Sequence, residues 1–383
     1  MIYLDHAATT ALDPRALDAM MPFLREGFGN ASSVHRVGQD ARRAVDRARN
    51  DVAALIGARA DEIIFTSGGT EADNLAVFGL TGGREDNRRH VVTSAIEHHA
   101  VLHAMAHLAE LGYELTIVAP GPDGHVDPGA IAAALRQDTA LCSVMLANNE
   151  TGTLQDVAAM AKAAHDVGAL FHTDAVQAAG LVPVDVQALG VDALTLTGHK
   201  FYGPKGAGAL YLRRGTRIAP TQRGGAHERG RRAGTENVPA IVGLGAAARL
   251  ALEDMGLRAE RMVVLRDRLW LALRAVPGAH RNGDPERCLP GHLNVRFDGV
   301  DGEAAVLNLD LRGIAASMGS ACSSGSLEAS HVLLALGLSH ADARGGIRLT
   351  LGRETTEAEV DAAAVTLREI VERQRALSAA RSG

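Results

Sequence analysis

Of the 39 basic residues in this 383-residue chain only three are lysines, Lys162, Lys200 and Lys205. Arginine stays protonated and cannot act as an amine nucleophile, so any chemistry that needs a free amine falls to one of those three. Lys200 lies where the apolar run 193–196 gives way to Thr197-Gly198-His199-Lys200-Phe201-Tyr202-Gly203. Ligands bind outside the carboxyl ends of strands in open α/β sheets, and an amine placed there can hold an aldehyde as an imine; a solvated loop position is the alternative. Lys205, in Pro204-Lys205-Gly206, reads as a turn residue, and Lys162, in an Ala-rich stretch, as a solvated helix charge.

Four other sites carry groups of matching chemistry. Asp174 ends the apolar run 170–173; a carboxylate there either pairs with a protonated ring nitrogen, as an electron-sink cofactor requires, or caps the segment that follows. Thr66-Ser67-Gly68-Gly69-Thr70-Glu71 runs from a strand through a glycine turn into a helix start, where backbone N–H groups and the helix dipole form a phosphate cradle. It is neither GxGxxG nor GxxxxGK[ST], so nucleotide signatures do not apply. In Ile96-Glu97-His98-His99-Ala100 the two adjacent histidines face apart on a helix; His98 suits stacking on a planar ring and moving protons, or capping the helix. Cys322 stands among small residues, Gly319-Ser320-Ala321-Cys322-Ser323-Ser324, a setting that leaves a normally buried thiol exposed and reactive. Cys142, inside an apolar run, reads as packed, and Cys288, ahead of Pro290, has no evident partner. The 16 histidines include no HxxxH-plus-acid and no Cys/His cluster with ligand spacing, so no intrinsic metal is expected.

The elements that must position these groups follow from the apolar pattern. Strand-like runs at 63–66, 91–93, 115–118, 141–146, 170–173, 193–196 and 209–212 alternate with helical segments near 71–78, 99–110, 129–136 and 156–167. That alternation predicts an α/β unit with a mainly parallel sheet. From about residue 238 the rhythm changes: two long helices at 239–254 and 257–275, strands at 292–297 and 347–351, a Gly/Ser-rich loop at 317–326, and a last helix opened by the capping box Thr356-x-x-Glu359. A smaller α+β domain is expected there, with a boundary near 255.

A net charge of −6 and 46% hydrophobic residues describe a globular chain with a sizeable core. No basic footprint for nucleic acid is present, no apolar run approaches the roughly 18–20 residues of a membrane span, and Met1-Ile2-Tyr3-Leu4-Asp5-His6 lacks the features of a secretion signal. Three scattered cysteines form no disulfide framework. A soluble cytoplasmic protein is the expectation.

Taken in order, the motifs resemble those of the NifS/IscS-type cysteine desulfurases, class V enzymes of the fold-type I group that depend on pyridoxal 5′-phosphate (PLP). The resemblance runs from Tyr3-Leu4-Asp5-His6-Ala7-Ala8-Thr9-Thr10 to Ile347-Arg348-Leu349-Thr350-Leu351-Gly352-Arg353, and its most specific pieces are 66–71, Asn148-Asn149-Glu150-Thr151-Gly152, 198–206 and 319–324. It implies a large PLP-binding α/β domain over 13–255 and a small α+β domain formed by 1–12 with 256–383, carrying a mobile Cys322 loop. It implies that Lys200 holds PLP covalently and later moves protons, that His98 stacks on the ring, and that Asp174 pairs with the ring nitrogen. Gln177 and Asn149 serve the ring hydroxyl and the substrate side; Gly69, Thr70, Thr197 and His199 bind the phosphate; Arg348 grips the substrate carboxylate. Thr235, in Arg232-Ala233-Gly234-Thr235-Glu236-Asn237, reaches the phosphate of a neighbouring subunit's cofactor, so a homodimer is implied.

The implied reaction takes sulfur from L-cysteine, leaves L-alanine, and places a persulfide on Cys322 for an iron–sulfur scaffold or another acceptor protein; Cys322 is also a possible ligand to a transient cluster on such a scaffold. The long Gly-Ser-Ala-Cys loop resembles the NifS/IscS subgroup, not the short-loop SufS subgroup, which favours direct transfer to a scaffold. The chain stops soon after its last helix, so docking through a long C-terminal tail is not expected. The competing readings are a selenocysteine lyase or class V aminotransferase with the same PLP apparatus, and a catalytically idle scaffold subunit.

Overall fold

The computed structural model describes residues 1–318 and 329–382. Its centre is a seven-stranded sheet in the order Ile63–Thr66, Gly208–Leu212, Ala193–Thr197, Leu170–Asp174, Thr139–Ser143, His90–Ser94, Glu114–Val118. Gly208–Leu212 runs antiparallel to both its neighbours, and every other neighbouring pair is parallel. Helices cover both faces, and the strands between the edges are buried almost throughout, as a doubly covered parallel sheet requires. The polar residues within these strands satisfy one another: His90 bonds Thr139 and Thr116, and His172 bonds Ser143 and Thr195, at 2.8–3.0 Å. The expected strand at 141–146 ends at Ser143. Beyond it the chain turns at Asn148, whose Oδ1 accepts from the backbone N–H groups of Glu150 and Thr151.

A second hydrophobic cluster gathers Leu4, Leu265, Leu269, Leu293, Val295, Leu349 and Leu367. It is built on the antiparallel sheet Ala279–Asn282, His292–Phe297, Ile347–Thr350 and on the final helix Glu357–Ser382. The capping box at the start of that helix forms: Glu359 N–H donates to Thr356 Oγ1 at 3.2 Å, and Thr356 N–H to a Glu359 carboxylate oxygen at 2.8 Å. At the N-terminus Ile2–Tyr3 pairs in parallel with Ile314–Ala315, which carries residues 5–8 past Thr350 toward the main sheet.

The two helices expected at 239–254 and 257–275 are one, Val238–Leu273, of 36 residues. A mid-helix glycine such as Gly256 costs about 1 kcal/mol relative to alanine, too little to break a helix packed along its length. Arg258 reinforces the crossing, pairing with Asp254 at 3.1 Å one turn back and donating to the Gly180 carbonyl at 3.0 Å. Among the described residues no helix is long and apolar enough to cross a membrane.

Candidate active site

At the carboxyl ends of the central strands lies a cavity of about 370 Å³. Ten of the residues singled out in the sequence line it: Gly69, Thr70, His98, Asn149 and Asp174 on one count, Gln177, Thr197, His199, Lys200 and Arg348 on the other. Most arrive on or at the end of a predicted element, and Asn149 and Gln177 in the loops beyond. The Ala193–Thr197 strand runs into the single turn Gly198–Lys200, which sets Lys200 at the cavity with its Nζ donating to the carbonyls of Ala7 at 2.6 Å and Ala8 at 2.8 Å. Gln177 Nε2 donates to the same Ala7 oxygen at 3.0 Å, so the N-terminal segment is fixed by the residues it covers.

Asp174 closes its strand, buried, with Oδ1 accepting from Val176 N–H at 2.8 Å. It both caps the turn and faces the cavity. Asp73, one turn inside the helix Gly69–Gly82, lines the same cavity and has a buried Oδ1 with no hydrogen-bond partner. Burial raises the pKa of both carboxyls, and the Asp174 charge raises that of Asp73 further. The Val176 N–H and Lys200 favour charge on Asp174, which leaves Asp73 the more inclined of the two to hold a proton.

His98 caps the helix His99–Glu110, its Nδ1 accepting from Ala100 N–H at 3.1 Å. Burial, then the Lys200 charge, lowers its pKa to about 4, so the ring is neutral at pH 7. The same two causes lower His199 to about 4, and its Nδ1 lies 3.2 Å from Thr9 Oγ1. Arg348 is 2% exposed; it donates from Nη2 to Asp5 Oδ1 at 2.8 Å and from Nη1 to the Asn149 carbonyl at 2.9 Å.

The arrangement suits a flat, anionic, aldehyde-bearing ring. A helix start faces the cavity at Gly69, where an added Cβ would stand 2.9 Å from Val176 Cγ2. A buried carboxylate, a neutral imidazole and a lysine amine share the same walls. The residues present therefore fit PLP.

The sequence matches the aminotransferase class-V family over residues 2–363. The chain belongs to that family. A cysteine desulfurase IscS of Methanosarcina thermophila is 46% identical over 377 residues, covering 98% of this chain and 93% of that protein. Among solved structures, a NifS-like protein superposes with a TM-score of 0.91 at 37% identity, covering 97% of this chain and 99% of the other. A structure described as SspA in complex with cysteine gives a TM-score of 0.82 at 34% identity, covering 93% and 100%. The expected fold class, an α/β fold-type I PLP-transferase built on a large mainly parallel sheet, is borne out.

Thr235, which the family resemblance singled out, is not among the residues that line this cavity. Thr235 lines a separate cavity of about 160 Å³ with Ser67, Arg232 and Glu236. Cys322 lies outside the described residues. Cys288, expected to lack a partner, has its Sγ accepting from Arg266 at 3.1 Å and Arg281 at 3.2 Å. Asp5 and Asp73 were not anticipated. The signal for Asp73 is its place four residues beyond Gly69, one helical turn along; for Asp5 no local signal exists, because its partner is 343 residues away.

Proposed function

We propose that this chain is a cysteine desulfurase, an enzyme that removes sulfur from L-cysteine, releases L-alanine and retains the sulfur as a persulfide on Cys322. PLP, when bound, supplies the electron sink that takes up the pair released at the substrate Cα. Lys200 holds its aldehyde and then, as a free amine, moves the Cα proton. Neutral His98 covers the ring face without adding a charge, and Asp174 keeps the ring nitrogen protonated. Gly69, Thr70, Thr197 and His199 hold the phosphate, Gln177 and Asn149 hold the ring hydroxyl and the substrate, and Arg348 receives the substrate carboxylate. Cys322 thiolate attacks the substrate sulfur; the new S–S bond forms as the C–S bond breaks.

The observation that carries this reading is the single cavity that gathers Lys200, Asp174, His98, Gly69 and Arg348. Thr235 completes the phosphate site of a second copy, so the working form is a homodimer. Residues 13–255 form the cofactor-bearing unit, and 1–12 with 256–383 the unit that brings Arg348 and Cys322; the separate hydrophobic cluster containing Leu4 and Leu349 supports that division. The acceptor is an iron–sulfur scaffold or another sulfur carrier in the cytoplasm.

The test is L-alanine formed from L-cysteine with a thiol reductant, by the native enzyme and by Cys322→Ala. Alanine from the first and almost none from the second is the expected result. Equal rates would remove Cys322 from the mechanism and leave a lyase or aminotransferase; no alanine from either would overturn the reading.

A further inference from the structure

The helix His99–Glu110 has an outer face that the desulfurase reaction does not use. His99, His103 and His107 recur every four residues, which places them along one helical face. The ring centroids of His99 and His103 are 4.9 Å apart. His331, first residue of the short helix His331–Ala335, brings its ring to 4.7 Å from His99. Imidazoles that share one tetrahedral ion through nitrogens at about 2.0–2.1 Å have centroids roughly 5 Å apart, so both pairs of rings are close enough to share one.

Two further observations point to a ligand. His331 Nε2 lies 3.0 Å from the Glu97 carbonyl oxygen. A carbonyl only accepts, so Nε2 carries the proton and Nδ1 keeps its lone pair, the division found where a backbone group fixes one ring nitrogen and a metal takes the other. His99 Nδ1 is buried with no hydrogen-bond partner. His99, His103, His107 and Phe78 line a cleft of about 630 Å³ that shares Thr70 and His98 with the active-site cavity. His107 is already engaged, 2.7 Å from Glu110.

We propose that His99, His103 and His331 bind a divalent first-row transition ion of the imidazole-preferring class, Zn²⁺, Co²⁺, Ni²⁺ or Fe²⁺. His99 and His103 supply the i, i+4 pair familiar from helical metal sites, and His331 supplies the third nitrogen. The three nitrogens are not drawn together as they stand: among the described residues only Asp123, His125 and Asp284 place three ligand atoms within 4.8 Å of one another. Capture therefore turns the His99 and His103 rings about their side-chain torsions, while His331 keeps its Nε2 on the Glu97 carbonyl. The Asp123 group is closed on itself, with Asp284 Oδ1 accepting from the N–H groups of Glu286 and Arg287 and Oδ2 bonded to His125.

The experiment is calorimetric titration of the cofactor-loaded Cys322→Ser protein with Zn²⁺, repeated with Co²⁺ to read ligand type from its visible spectrum. The serine removes that thiol as a competing ligand. One ion per chain is expected, with His103→Ala and His331→Phe each weakening binding by about tenfold or more, and with His107→Ala and Asp284→Asn leaving it unchanged. Binding that survives both histidine variants, or that is lost with Asp284→Asn, would overturn the proposal. So would the absence of any binding tighter than about 1 mM.

Discussion

On the sheet side of the cavity the polar groups meet backbone partners. Lys200 donates to two backbone carbonyls, and His98 and Asp174 each accept from a backbone N–H group. On the side supplied by the Ile347–Thr350 strand, Arg348 is held by a carboxylate, Asp5, as well as by the Asn149 carbonyl. In the first set burial is the leading influence on the pKa of His98, lowered to about 4, and of Asp174, raised to about 6. The second keeps a charge that never titrates and merely exchanges one carboxylate partner for another. Proton transfer and recognition are thus separated between the two walls.

The largest effect that tests this separation is at Lys200. Lys200→Ala should lower kcat for alanine formation by about 10⁴-fold, the upper range for loss of a positioned proton-transfer group. A small loss would place the proton transfer elsewhere. Arg348→Gln should act mainly on KM for L-cysteine, raising it by about ten- to a hundredfold, since a charge-assisted contact is worth about 1.5–3 kcal/mol. Loss confined to kcat, with KM unchanged, would erase the distinction between the walls.

The smallest effect concerns Glu97, which precedes His98 on the sheet side. Burial raises its pKa to about 8, against the hydrogen bonds from Ser94 and the Met145 N–H. The folded chain then keeps this proton up to about pH 8, while the unfolded chain releases it above its ordinary value of 4.5. Stability from this group is complete below 4.5 and falls as pH rises toward 8, by up to about 1.4 kcal/mol per pH unit. Glu97→Gln should therefore gain on the native protein between pH 5 and pH 8 in urea unfolding. An equal difference at both pH values would mean that Glu97 is charged in the folded state.

Much of the central sheet was legible because its strands are apolar runs closed by glycine or polar turns, and the catalytic candidates were legible because they sit at those closures. Ala279–Asn282 was not, since His280, Arg281 and Asn282 give it no apolar alternation, and it is held as a strand by pairing with His292–Phe297. The break anticipated near residue 255 came from local composition at Asp254 and Gly256, which packing on both sides of the helix overrides. Within the site, Asp5 could not be read from its surroundings because its meaning depends on Arg348. The histidine stripe was overlooked because an acid was sought beside it, whereas its third imidazole comes from His331 on a different element.

The 36-residue helix Val238–Leu273 has one further consequence. Its first half packs Ile241, Leu244 and Ala248 into the core of the main sheet, and its second half packs Leu265, Leu269 and Leu273 into the other cluster. Melting either interior strips the support from half of a single hydrogen-bonded rod, and the fraying end lies inside the remaining interior rather than in a linker. The two interiors are therefore coupled in their unfolding, and heat lost from one is felt by the other through an element both of them need.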